Sequence, residues 1–119
     1  MFNGIIYNTG KVKTLKKDNL SCLLSIDTNL IFSKKDIGSS ISCDGVCLTL
    51  VSIKKKSLKF YISNESLKKT NLKNLKIGNI INIEKSLVYG QKISGHFTQG
   101  HVDTTAKVKK INVVAKSWV

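Results

Sequence analysis

The sequence predicts an all-β domain, a barrel or a sandwich of about six strands, and three observations carry that expectation. Short runs rich in Ile, Val, Leu and Thr recur along the chain, separated by breaks of Gly, Asn, Asp and Lys. Asp44-Gly45 stands between two such runs, and a two-residue type I′ turn needs a positive φ at both central positions, which this dipeptide tolerates. Helical signals are confined to two short pieces.

Taken in order, "FNGIIY" opens the chain in extended form and leads into "KVKTLKK", after which "LSCLLSID" supplies the next strand. "FSKKDIG" reads as a turn of helix stopped by Gly38. "SSISCDGVCLTLVSI" is a hairpin folded at Asp44-Gly45, followed by the strand "LKFYIS". "SNESLKKT" carries Ser63 or Asn64 as an N-cap, Glu65 in its first turn and Lys68-Lys69 in its last, each charge complementing the helix dipole. "NIINIEKSLV" is a strand, and the stretch from His101 through "AKVKKINVV" to "KSWV" is the last one expected. The sequence reads without internal repeat, linker or low-complexity tract.

A chain of 119 residues, 41% of them hydrophobic, supplies one core, so one domain spanning residues 1–119 is expected and disorder is not. No apolar run approaches the roughly 18 residues of a membrane span, and "MFNGIIYNTG" lacks the charged and apolar regions of a signal peptide, which makes the cytosol the expected compartment. Cys22, Cys43 and Cys47 form no C-x-x-C pair and leave one thiol unpaired in any disulfide scheme, in keeping with a reducing compartment. The net charge of +13 suggests polyanions. Yet every basic residue is lysine, and the lysines sit in short runs at expected turns, so nucleic-acid binding is not the favoured reading.

Both histidines fall in "SGHFTQGHVDTT", His96 and His101, each after a glycine. With Cys43 and Cys47 they make a superficial zinc pattern, but nearly fifty residues separate the pairs where about a dozen is usual. Residues five apart on a regular strand also face opposite ways, so no metal is assigned. Cys47 in "VCLTL" is either a small core residue or, with a histidine, a catalytic thiol, and spacing alone leaves both open.

The strings "MFNGII", "DGVCLTL", "NESLKKTNL", "LKIGNIINIEKSL" and "SGHFTQGHVDTTAKV" occur in an order and spacing that resemble the N-terminal lumazine-binding barrel of the α-chain type of riboflavin synthase, over nearly the whole chain. That resemblance implies a six-stranded antiparallel Greek-key closed barrel with one or two short helices. It implies an enzyme of riboflavin biosynthesis that converts two molecules of 6,7-dimethyl-8-ribityllumazine into riboflavin and 5-amino-6-ribitylaminouracil, with no metal or added cofactor. Carried onto matching positions, it implies substrate contacts from Phe2, Gly4, Ile5 and Ile6, a pocket wall of Cys47, Leu48 and Thr49, and a segment Tyr61, Ile62, Ser63, Asn64, Glu65 and Ser66 around the ribityl chain. Gly100, His101 and Val102 complete that set, Cys47 as nucleophile or polar partner and His101 for proton transfer. His96 takes a structural role, and Ser94 and Gln99 depart from the family's usual residues. The family has two barrels per chain, in a homotrimer, with sites between barrels of different subunits. This sequence matches the first, so a second barrel from another subunit, or self-pairing, is the expected partner. A non-catalytic lumazine or flavin carrier is the alternative.

Overall fold

The computed structural model describes residues 1–119. Six strands, β1 (Asn8–Lys17), β2 (Ser21–Thr28), β3 (Ser40–Cys43), β4 (Val46–Lys54), β5 (Ser57–Ser63) and β6 (Ile80–Lys85), form a closed antiparallel barrel in the order β1-β2-β5-β4-β3-β6. The β3-β4-β5 meander pairs back onto β2, the Greek-key arrangement, and β6 closes the circle on β1 from Asn8↔Ile83 to Lys11↔Ile80. That last pairing decides between barrel and sandwich, because it leaves no free edge.

Period-two alternation is what fills the cylinder. Val46, Leu48 and Leu50 of β4, Leu58, Phe60 and Ile62 of β5, and Ile81 and Ile83 of β6 all point inward and are buried. Each such side chain contributes on the order of 1.5–3 kcal/mol when fully removed from water. Gly10 on β1 faces the same interior, where a Cβ would collide with the side chains of Ile26 and Ile83. Irregularities between Val12 and Thr14 and between Leu50 and Ser52 let the two strands coil around the core.

The local signals hold. Asp44 and Gly45 adopt φ of 48° and 84°, and the Asp44 carboxylate also accepts the Asn82 N–H at 2.7 Å, tying the turn to β6. Helix α1 (Asn64–Lys69) is capped by Ser63, and a 3-10 turn at Lys34–Asp36 precedes Gly38, whose φ is +89°. Leu72, in a second 3-10 turn (Asn71–Asn74), is buried against the core. No helix is long and apolar enough to cross a membrane.

Two expectations fail at the ends of the chain. "FNGIIY" makes no strand: Phe2 is joined to Thr98 by one isolated bridge. The expected final strand is absent too, since residues 101–112 form neither helix nor strand and only a small hairpin follows, β7 (Val113–Val114) with β8 (Ser117–Trp118), continued by the mutual backbone hydrogen bonds of Asn112 and Val119. The reason is occupancy, because β1 already has β2 on one side and β6 on the other and no barrel edge remains. The radius of gyration, 15.5 Å against about 13.5 Å for a compact chain of this length, records the projecting tail.

The tail also corrects the expectation that the chain has no repeat. At an offset of 96, residues 4–15 (GIIYNTGKVKTL) and 100–111 (GHVDTTAKVKKI) share Gly, Thr, Lys, Val and Lys at matching positions. Gly4 and Gly100 even share a left-handed φ, 77° and 75°. Beyond that glycine the surroundings diverge: Val12 is 1% exposed and its counterpart Val108 is 74% exposed.

Candidate functional site

Two clefts adjoin at the β3–β4 turn, and Gly100 lines both. The first, about 300 Å³, is bounded by Val46 and Cys47 of β4, by Glu65, Ser66, Lys69 and Thr70 of the α1 region, and by residues 100–103. Strand parity brings Cys47 there. Its neighbours Val46 and Leu48 turn into the barrel, so the Cys47 side chain turns outward and is half-buried.

Gly100 sets His101 beside it. The Cys47 N–H donates to the Gly100 carbonyl at 2.9 Å, and Gly100 takes a left-handed φ. A Cβ at Gly100 would lie 2.9 Å from the Cys47 nitrogen and 3.1 Å from the Gly45 carbonyl oxygen, closer than ordinary contact allows. Only glycine lets the returning chain touch β4 at this point, and the next residue, His101, then lines the cleft.

On the facing side, the Ser63 hydroxyl accepts the Ser66 N–H at 3.1 Å and starts α1 so that Glu65 and Ser66 border the cleft. Lys69 donates to Glu65 at 2.8 Å, which holds the Glu65 carboxyl below its ordinary range. The same hydrogen bond raises Lys69, with Asp103 adding a smaller effect of the same sign. The rim thus offers hydroxyl, carboxylate, ammonium, thiol and imidazole groups within one recess, enough to hold a polyol and to handle a proton.

The three thiols are not equivalent. Burial pushes Cys43 far above the ordinary thiol range and raises Cys22 as well, so both stay protonated inside the barrel. Cys47 alone faces a cleft. Cys43 and Cys47 point to opposite sides of the sheet, and no group of three or more His, Cys, Asp or Glu side chains converges.

The second cleft, about 430 Å³, holds Phe2, Gly4 and Ile6 against Ser42, Asp44, Asn82, Glu84 and Thr98. Phe2 is buried, and its backbone exchanges hydrogen bonds with Thr98 at 2.8 and 3.0 Å. The Glu84 carboxylate accepts the N–H groups of Asn3 and Gly4 at 2.7 and 3.3 Å, which fixes the opening segment over β6.

Of the residues expected to contact substrate, Cys47, Glu65, Ser66, Gly100, His101 and Val102 meet in the first cleft, and Phe2, Gly4 and Ile6 in the second. Ser63 acts as the cap behind the first, with Asn64 next to it at the start of α1. Leu48 and Ile62 lie in the core, Thr49 and Tyr61 are exposed on the outer wall, and Ile5 borders a separate recess of about 160 Å³. His96 lines none of these and donates its N–H to the Asn3 carbonyl at 3.1 Å. Sequence reasoning missed Lys69, Asp103, Glu84 and Thr98. The only local signal among them was the Glu65–Lys69 spacing of four on a helix.

Comparison with known proteins bears on the family and the fold. The family described as "Lumazine binding domain" matches residues 3–86. Riboflavin synthase of Bacillus amyloliquefaciens is 34% identical over 111 residues, 93% of this chain and 52% of that protein. The Brucella abortus (strain 2308) enzyme is 38% identical over 113 residues, 91% of this chain and 56% of that one. The Escherichia coli (strain K12) enzyme is 33% identical over 112 residues, 93% and 53%. The chain spans about half the length of these relatives. The crystal structure of LumP complexed with 6,7-dimethyl-8-(1'-D-ribityl) lumazine shares the fold at a TM-score of 0.75 and 24% identity, over 96% of this chain and 63% of that one. LumP complexed with flavin mononucleotide gives 0.74 and 26%, over 94% and 63%.

Proposed function

Because the chain belongs to the lumazine-binding domain family, we propose that it binds one 6,7-dimethyl-8-ribityllumazine beside Cys47 and His101 and supplies one half of a riboflavin synthase active site. The observation that carries this reading is the convergence of Cys47, His101, Glu65 and Ser66 on one recess through the contact of Gly100 with β4. Relatives at 33–38% identity are riboflavin synthases.

The reaction moves a four-carbon unit from one lumazine to another, and the atoms of riboflavin and 5-amino-6-ribitylaminouracil together equal those of two substrates. The protein's tasks are therefore orientation and proton transfer. In this reading Glu65 and Ser66 accept from and donate to the ribityl hydroxyls, His101 carries the proton to and from the ring methyl, and the Cys47 thiol meets the neighbouring ring carbon. The second lumazine sits on a second barrel, from another subunit or from a second copy of this chain. Phe2 and the second cleft face that partner.

The test is to mix the chain with the lumazine, with and without a partner barrel, and to follow lumazine fluorescence for binding and riboflavin fluorescence for turnover. Cys47→Ser and His101→Ala are expected to lower turnover by about a hundredfold while affinity changes by less than about threefold. Equal losses in both quantities refute the chemical roles. A non-catalytic lumazine or flavin carrier is the second reading, favoured by the fold shared with the ligand-bound LumP structures. One-to-one binding with no riboflavin formed under any pairing selects it.

A further inference from the structure

A third, larger cleft of about 660 Å³ lies on the outer wall of β1, β2 and β5 at the tip of the β4–β5 hairpin. Six lysines line it, Lys13, Lys16, Lys54, Lys55, Lys56 and Lys59, with a single carboxylate, Asp27, that is already paired with Lys13 at 3.2 Å. The rest of the lining is chiefly hydroxyl: Thr14, Ser25 and Ser57. It stands apart from the clefts described above, because Asp27↔Ser57 and Ser21↔Ser63 mark opposite ends of the β2–β5 pairing and α1 adjoins the latter.

We propose that this cleft binds a small polyphosphate-type anion, a compact chain of several phosphate groups. Three observations argue for it. Six ammonium groups share one recess with only the Asp27 carboxylate, on Lys13, to offset them, so the recess carries a net positive potential that attracts an anion. Lys55 holds a left-handed φ of 55° at the hairpin tip, a conformation that favours Gly or Asn, so a cation occupies a position where its backbone is disfavoured. Ser25 lines the cleft, and since no buried side-chain oxygen lacks a partner and its hydroxyl makes no side-chain hydrogen bond within the protein, that hydroxyl opens onto the cleft and can donate to a phosphate oxygen.

The lining also narrows the ligand. Leu23 is its one hydrophobic residue and no aromatic ring is present, so there is no platform on which nucleic-acid bases stack. Lysines, as point charges on flexible stems, suit a phosphate chain whose oxygens point in all directions. The volume exceeds what a single phosphate fills.

The experiment is calorimetric titration of the full chain with sodium tripolyphosphate at about 0.15 M salt, where weak surface attraction is screened. Saturable one-to-one binding is expected, with a rise in melting temperature. The triple variant Lys54→Gln, Lys55→Asn, Lys56→Gln should lose at least about tenfold in affinity, and Ser25→Ala a few-fold. The charge-matched control Lys107→Gln, Lys109→Gln, Lys110→Gln, in the exposed tail, should change it less than about twofold. Lumazine binding should persist in both triple variants, which separates this inference from the one above. Equal weakening by the two triple variants, absence of saturation, or at least tenfold tighter binding of single-stranded DNA to the same lysines overturns it.

Discussion

At the scale of single residues, Gly100 and Cys47 carry the most consequence. Substituting Gly100→Ala forces a side chain into left-handed backbone and against the β4 amide, and both costs fall on the contact that places His101. A destabilisation of about 1–3 kcal/mol is expected, with lumazine affinity falling in parallel, measured by denaturant melts and fluorescence titration. Thiol chemistry separates the cysteines independently. Iodoacetamide should label Cys47 in the native protein and reach Cys22 and Cys43 only on unfolding, as read by peptide mass spectrometry. Labelling of Cys43 at the native rate contradicts its burial. Cys47 and His101 were both legible as candidates in the sequence, but their shared recess was not, because 54 positions separate them and a glycine's backbone contact brings them together.

At the scale of elements, short-range chemistry was read well. The Asp44-Gly45 turn, the Ser63 cap and the 3-10 turn before Gly38 all follow from residues within four positions of one another. One of these turns sets a pH dependence. The Ser33 N–H donates to the Asp36 carboxylate at 2.6 Å, and with Lys85 nearby this holds Asp36 below its ordinary value of 3.8. Asp18 is lowered likewise, first by the Leu20 N–H and then by the Ser21 hydroxyl. A carboxyl depressed in the fold contributes stability that is fully present above its unfolded pKa and is lost as pH falls through the folded one. Melting temperature should therefore decline as pH drops below 3.8, and the decline should flatten in a variant carrying Asp36→Asn and Asp18→Asn. An unchanged slope in that variant rules these turns out as its source.

At the scale of the whole molecule, the barrel and its tail behave as different kinds of structure. The barrel is closed by β6 on β1 and draws its core from β1 to β6 and Leu72, so removing residues 104–119 should shift the melting temperature by less than about 3 °C. A larger drop, followed by circular dichroism, shows that the tail supports the core. Residues 100–111 match 4–15 at five of twelve positions, yet Val12 is buried and Val108 exposed, which is the sharpest separation here between pattern and context. The amino-acid sequence by itself determined the all-β class, the turns and the family, since each rests on local conformational preference or on residue identity in order. Only the tertiary structure decided that the barrel closes before the tail, and which candidate residues share a cleft. A strand needs a neighbour with a free edge, and a site needs side chains from distant segments to meet, and neither condition is written in any one stretch of chain.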